Sequence, residues 1–432
     1  MAQASSVRIA AVFSALSANF AAGRWLTPTN VYSADTVNQL KADLATASLH
    51  HGDLADYIAA SAPLHCSDGW TFLARSLNCL VNGSPHQAAH FAYYAELRAS
   101  MSILASRGIG IFANQHFVVD ATGICKKVPQ EFGTHKFAWD ALDEWAQSND
   151  SGLDLLSLFN VSGLTFAQWF QSAPGLSVVA SQAATWLKEW GLDLSVLGKD
   201  HEIRNLGSYR PNELSPLSTN ARDCSQFLRE LWSLFEPSTG RFEFLDRELL
   251  RILVRKTYTN TGYPPSARSK FYRTHLTALF SPLGLSPQQQ ERFRKSFASA
   301  APYPSLLTKA EALGLPDELT RHERVIARAA LLLRVASGFA TQLLNMAPLS
   351  VSNVAFWTSG IGEKSAFWSP GTPYADFIDL WQDVSDAKSD EEAWMASQPA
   401  GNISMYAWRS QRSEILRPLC ECDRVGLWSV QQ

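Results

Sequence analysis

Ser84-Pro-His-Gln-Ala-Ala-His-Phe-Ala-Tyr-Tyr-Ala-Glu-Leu-Arg-Ala-Ser-Met-Ser-Ile-Leu-Ala-Ser-Arg-Gly108 carries the pattern that decides the fold. Ser84 and Pro85 open it as helices open, because a proline in the first turn gives up an N–H that would find no partner there. Phe91, Tyr94, Leu97, Met101 and Leu104 then recur every three or four residues, the spacing of one helical face. Beside them Ala88, Ala92, Ala95 and Ala99 form a second row, small enough to let another helix approach closely. Gly108 ends the run. A long helix with two packing rows belongs inside a core, so the chain is expected to be mainly α.

Working outward, His116-Phe-Val-Val-Asp120 has the β-branched content of a strand, Ala121-Thr-Gly makes a turn, and Ile124 to Val128 returns. A short β-hairpin is expected there. Thr134 caps a following helix that carries Phe137, Leu142 and Trp145. Further helices are expected over 179–191, 221–235, 244–256, 269–280, 287–298, 322–346, 374–396 and 403–418. Glycine and proline gather at 206–220, 260–266 and 299–305. The first cluster divides the chain into a helical domain over 1–215, with an N-terminal helical extension, and a second helical domain over 216–432.

The composition of these 432 residues is that of a globular protein: 46% hydrophobic and 18% charged residues exclude a disordered chain. A formal charge of −3 excludes a polycation that coats nucleic acid along its whole length. The 14 Trp and 23 Phe serve packing or an interface. Six scattered cysteines suit a reducing, cytoplasmic setting, and the close pair Cys420 and Cys422 lacks the second pair that a zinc site needs. Near the N-terminus, Ile9, Phe13, Leu16 and Phe20 read as an amphipathic helix; Ser and Asn interrupt the apolar run that a signal peptide needs. Val335 to Gly362 carries no charge, yet Pro348 splits it, and Gln342 and Asn345 would lie unpaired in hydrocarbon. A buried helix ending near Ala347 is expected, not a membrane span.

The usual catalytic signatures are missing. Ser359-Gly-Ile-Gly-Glu-Lys-Ser365 does not meet the spacing of a phosphate loop and reads as a Gly-rich turn. Pro316-Asp-Glu318 reads as a helix start. No metal or cofactor is called for.

One constellation says more. The long helix contains Ala92-Tyr-Tyr-Ala95, and a later helix end reads His201-Glu-Ile-Arg-Asn-Leu-Gly-Ser-Tyr-Arg-Pro211. Over about residues 50–230 this resembles the HEPN superfamily (higher eukaryotes and prokaryotes nucleotide-binding), nearest to its YaaC-like and nucleotidyltransferase-associated branches. The resemblance implies a helical bundle with a polar motif facing a cleft, often at a dimer interface. In the family's ribonucleases an Arg and a His, with a polar residue after the Arg, cleave RNA without a metal. Arg204 and Asn205 match the first half of that motif. Four to six residues on, where the family has His, this sequence reads Ser208, Tyr209 and Arg210. The resemblance therefore implies a non-catalytic component of a prokaryotic conflict or anti-phage system, binding nucleic acid or a partner protein. Its rivals are a metal-independent ribonuclease, in which Tyr209 or His201 carries the proton for Arg204 and Asn205, and a purely structural subunit of a larger complex. Beside these stand plain structural roles. Arg204 and Asn205 suit a helix C-terminus. Tyr93, Tyr94, Glu96 and Arg98 have spacings for intrahelical pairs, and lone His90 and His201 suit satisfied polar groups.

Charge is also patterned. Between Arg241 and Lys295 lie 11 basic residues against 4 acidic ones, with Tyr272 among Arg268, Lys270 and Arg273. Cations interleaved with rings suit phosphate contact and base stacking by RNA or single-stranded DNA, and equally suit a solvated helical face. From Asp376 to Glu392 seven acids face the single Lys388. The two segments could neutralise each other within one chain or across a homodimer or heteromeric complex.

Overall fold

The computed structural model describes residues 3–171, 182–209, 220–238, 241–260, 264, 266, 268–311, 321–346, 354–401 and 403–429. Within helices, the side chains of 198–199, 202–203, 206–209, 257–260, 268–269, 271–273 and 321 lie outside that description. The chain is mainly helical with small antiparallel sheets. It forms two compact units, one of residues 1–144, 195–225 and 317–432, the other of 145–194 and 226–316. Most of the expected boundary near 215 lies outside the described residues.

The first unit is built on three long helices. Pro85–Ser106 packs along His51–Val81 and Arg321–Met346, and the alanine row 88, 92, 95 and 99 is fully buried there. Polar ties join the three helices: Ser76 Oγ donates to the Ala88 carbonyl at 2.6 Å, Ser102 Oγ to the Ala62 carbonyl at 2.7 Å, and Trp70 Nε1 to Ser337 Oγ at 3.0 Å. Gly69 makes the approach close, since a Cβ there would stand 2.5 Å from Leu333. His322–Met346 is long and apolar enough to cross a membrane, and 83% of its most apolar window is buried within the fold.

The remaining elements of this unit cover those helices. Ser6–Phe20 buries Ile9, Phe13, Leu16 and Phe20 as its spacing predicts, with the Ser5 hydroxyl capping the Arg8 N–H. The expected hairpin supplies the second and third strands of a three-stranded sheet, Ile109–Phe112, Gln115–Val119 and Cys125–Lys127, whose first strand the sequence did not announce. Thr134 does not cap its helix. It is the first residue of Thr134–Ala146, and its hydroxyl donates to the Ala113 carbonyl, while the Gly133 carbonyl accepts from Phe137 N. The expected Gly-rich turn at 359–365 is mostly helix, Ala355–Lys364. Gly362 is needed there because a Cβ would lie 1.9 Å from the Trp368 ring. The acidic segment is partly interior. Glu391 is fully buried and accepts from Ser225 Oγ at 2.7 Å and Trp408 Nε1 at 2.8 Å, with Arg412 3.4 Å away.

The second unit has an aromatic core. Trp169 meets Phe293 at 4.8 Å, Phe280 at 6.1 Å and Phe297 at 6.3 Å, and its ring N–H reaches the Val161 carbonyl. Several cations of the basic stretch are engaged locally. Arg247 pairs with Glu243, Arg251 with Glu248, and Lys256 with Glu189. Arg251 and Arg255 lie over the Tyr303 ring.

Candidate functional site

The helix Leu194–Tyr209 runs past Arg204 and Asn205, so these residues sit inside it and do not cap it. On that helix Asp200, His201 and Arg204 fall one and four positions apart, on one face. The face meets Tyr93, Tyr94 and Glu96 of the Pro85–Ser106 helix. Within its own helix Tyr94 also pairs edge-to-face with His90, ring centres 5.1 Å apart, the i, i+4 contact that the spacing allows. Arg204 Nη2 donates to the Tyr94 hydroxyl at 2.6 Å, and Nη1 to Asn205 Oδ1 at 2.9 Å. The guanidinium carbon stands 5.5 Å from the Tyr94 ring centre. His90 donates to the Arg204 backbone carbonyl, which anchors the arginine from a second side.

His135 completes the cluster from the Thr134–Ala146 helix. The Trp139 N–H donates to the Tyr93 hydroxyl at 3.3 Å. The Tyr93 proton is therefore free to bond His135 Nδ1 at 2.8 Å. A phenol oxygen can also accept twice, so the tautomer of His135 sets the direction of this bond. Burial first, then the neighbouring His201 and the Arg204 charge, hold the His135 imidazole below its ordinary range and therefore neutral at pH 7. Burial likewise raises the Tyr93 phenol and keeps it a donor. The His201 ring lies 5.3 Å from that of His135 and 5.7 Å from that of Tyr93. His90, Tyr94, His135, His201, Arg204 and Asn205 are all half-buried, so the polar groups are held but not sealed.

Beneath them lies a charged floor. Arg328, from the Arg321–Met346 helix, grips Asp200 through Nε at 2.9 Å and Nη2 at 2.7 Å. Glu96 Oε1 stands 3.7 Å from the same guanidinium, and all three side chains are buried. One cation cannot neutralise two carboxylates. Burial, then the Asp200 charge, pushes the Glu96 carboxyl well above its usual range, and the proton it keeps bonds Asp200. Asp200, with the bidentate contact, is the ionised partner. At the outer end, Arg98 reaches His65 Nδ1 at 2.9 Å and Asp68 at 3.6 Å. Burial and then the Arg98 charge take His65 down to about 3.

The structure thus brings Arg204, Asn205 and His201 together with the Tyr93–Tyr94 pair. Tyr209 lies on the same helix, but its side chain is outside the described residues. In the basic stretch Lys270 is exposed on the Arg268–Phe280 helix; the side chains of Arg268, Tyr272 and Arg273 are outside the described residues. The sequence reading missed His135, Trp139, Asp200 and Arg328, which come from three different helices. Only Asp200 left a trace, through its spacing to Arg204. Among the described residues no three His, Cys, Asp or Glu side chains converge as a metal site. No family model, curated protein or solved structure matches the chain.

Proposed function

We propose that the cluster of Tyr93, Tyr94, His135, His201 and Arg204 is a phosphate-ester site of HEPN type, at which the chain binds RNA and cleaves it without a metal. The observation that carries this reading is the pair of imidazoles beside Arg204. The family's histidine is missing after the arginine in sequence, and the imidazoles of His135 and His201, 5.3 Å apart, are read as taking its part. Arg204 offers a cation for the phosphate, held in place by Tyr94 and by its own backbone bond to His90. His201 has no hydrogen bond to its ring among the described residues, which leaves it to take the proton of a ribose 2′-hydroxyl. The 2′-oxygen then bonds to phosphorus, the P–O5′ bond breaks, and the departing oxygen takes up the proton that the imidazolium of His201 gives back, while His135 stays neutral beside the phosphate. The setting in a prokaryotic conflict system rests on the resemblance alone. Binding without cleavage is the second reading, favoured by the departure at 208–210.

The test is incubation of the full chain with short single-stranded RNA in the presence of a chelator. Cleavage leaving 2′,3′-cyclic phosphate ends is expected. Arg204→Ala and His201→Ala should each slow it by about a hundredfold or more while the helical circular dichroism is retained. RNA bound but left intact would remove the catalysis and keep the phosphate site. RNA neither bound nor cut would remove both.

A further inference from the structure

We propose that a cleft between the helices His51–Val81 and Met405–Cys420 binds a free nucleotide, a nucleoside di- or triphosphate. It shares no residue with the Arg204 cluster. The cleft encloses about 600 Å³, within the range of small-molecule sites. Each helix contributes one face. Thr71, Arg75, Asn78 and Asn82 recur at helical spacing on the first, and Tyr406, Arg409, Ser413 and Arg417 on the second. The short side chains of Ala74, Ser410 and Ser413 leave the space between the two helices unfilled.

The electrostatics favour a polyanion. Arg75, Arg409 and Arg417 are all exposed at the cleft and hold little of the protein. Arg409 reaches the Asn82 carbonyl at 3.2 Å, and Arg417 stands 3.9 Å from Glu421. The acids that also line the cleft do not cancel these cations. Glu421 is already gripped by Arg424 at 2.7 and 2.9 Å. Burial pushes the Asp423 carboxyl above its usual range, and it accepts from Ser365. Guanidinium groups match phosphate oxygens in pairs, so three at one cleft suit a di- or triphosphate. Tyr406, 81% exposed at the mouth, offers a ring on which a base can stack. Val81 and Leu416 supply an apolar wall for the same base. A half-open cleft of this size has room for one mononucleotide.

Calorimetric titration of the full chain with ATP, inorganic triphosphate and a short single-stranded RNA tests this. ATP should bind, and Arg75→Ala and Arg409→Ala, both at exposed positions, should each weaken it about tenfold or more. Tyr406→Ala should weaken ATP but not triphosphate. Arg204→Ala should leave ATP affinity unchanged. The proposal is overturned if ATP does not bind at millimolar concentration, if triphosphate binds as tightly as ATP, or if the cleft variants have no effect. It is also overturned if Arg204→Ala abolishes binding, which would move the nucleotide to the other site, or if RNA competes through the cleft more tightly than ATP.

Discussion

Glu96 shows what one residue can conceal. In sequence it reads as a surface glutamate with an intrahelical partner, because Arg98 and Tyr93 stand nearby on the same helix. In the fold it is fully buried, and among the described residues neither of its oxygens accepts a hydrogen bond, Arg328 standing 3.7 Å away. A neutral carboxylic acid and a carboxamide are close in shape, so Glu96→Gln should fold with little loss. Arg328→Met is the opposite case. It leaves Asp200 ionised, buried and without its bidentate partner, and should cost about 3–5 kcal/mol in denaturant unfolding. Equal costs for the two variants would refute the assignment of the proton to Glu96. The same limit applied to the cluster as a whole. Arg204 and Asn205 were legible from their motif, but His135 was not, because nothing in a sequence relates a residue to one 69 positions away by depth.

At the scale of elements, periodicity was read well where it was clean. Residues 221–235 and 287–298 form helices with the expected bounds, and 322–346 differs by one residue. His51–Val81 was not expected although it is 31 residues long. Pro63 lies inside it, and Gly52 and Gly69 weaken the local preference, so only its packing reveals it. The Ala355–Lys364 helix makes the same point with a sharper test. Gly360 and Gly362 look alike in sequence, yet a Cβ at 360 meets nothing and one at 362 meets Trp368. Gly360→Ala should therefore stabilise the fold by about 0.5–1 kcal/mol, through helix propensity. Gly362→Ala should destabilise it by about 1–3 kcal/mol. Thermal unfolding of the two variants gives opposite signs if this helix packs as described.

For the whole molecule, the buried titratable groups pull stability in opposite directions with pH. His65, His90, His116 and His135 are all held below the ordinary imidazole range, chiefly by burial. Their contribution is complete above the unfolded value of about 6.5 and is lost as pH falls below it. Asp56, raised to about 6 by burial and then by Asp53, and Glu96, raised by burial and then by Asp200, work the other way. Their stabilisation is present at low pH and is lost as pH rises from about 4 towards the folded value. Between pH 5 and 6 unfolded Glu96 is mostly ionised while folded Glu96 keeps its proton, so folding takes up a proton at this site. Glu96→Gln abolishes that uptake and nothing else in the balance. The slope of unfolding free energy against pH should then become more positive than the wild type's by about 1.4 kcal/mol per pH unit over this window. The variant gains relative stability as pH rises and loses it in acid. Urea unfolding at pH 5.0, 5.5 and 6.0 measures the difference. Parallel curves would mean that Glu96 is ionised in the fold, with the buried guanidinium shared equally between two charged carboxylates.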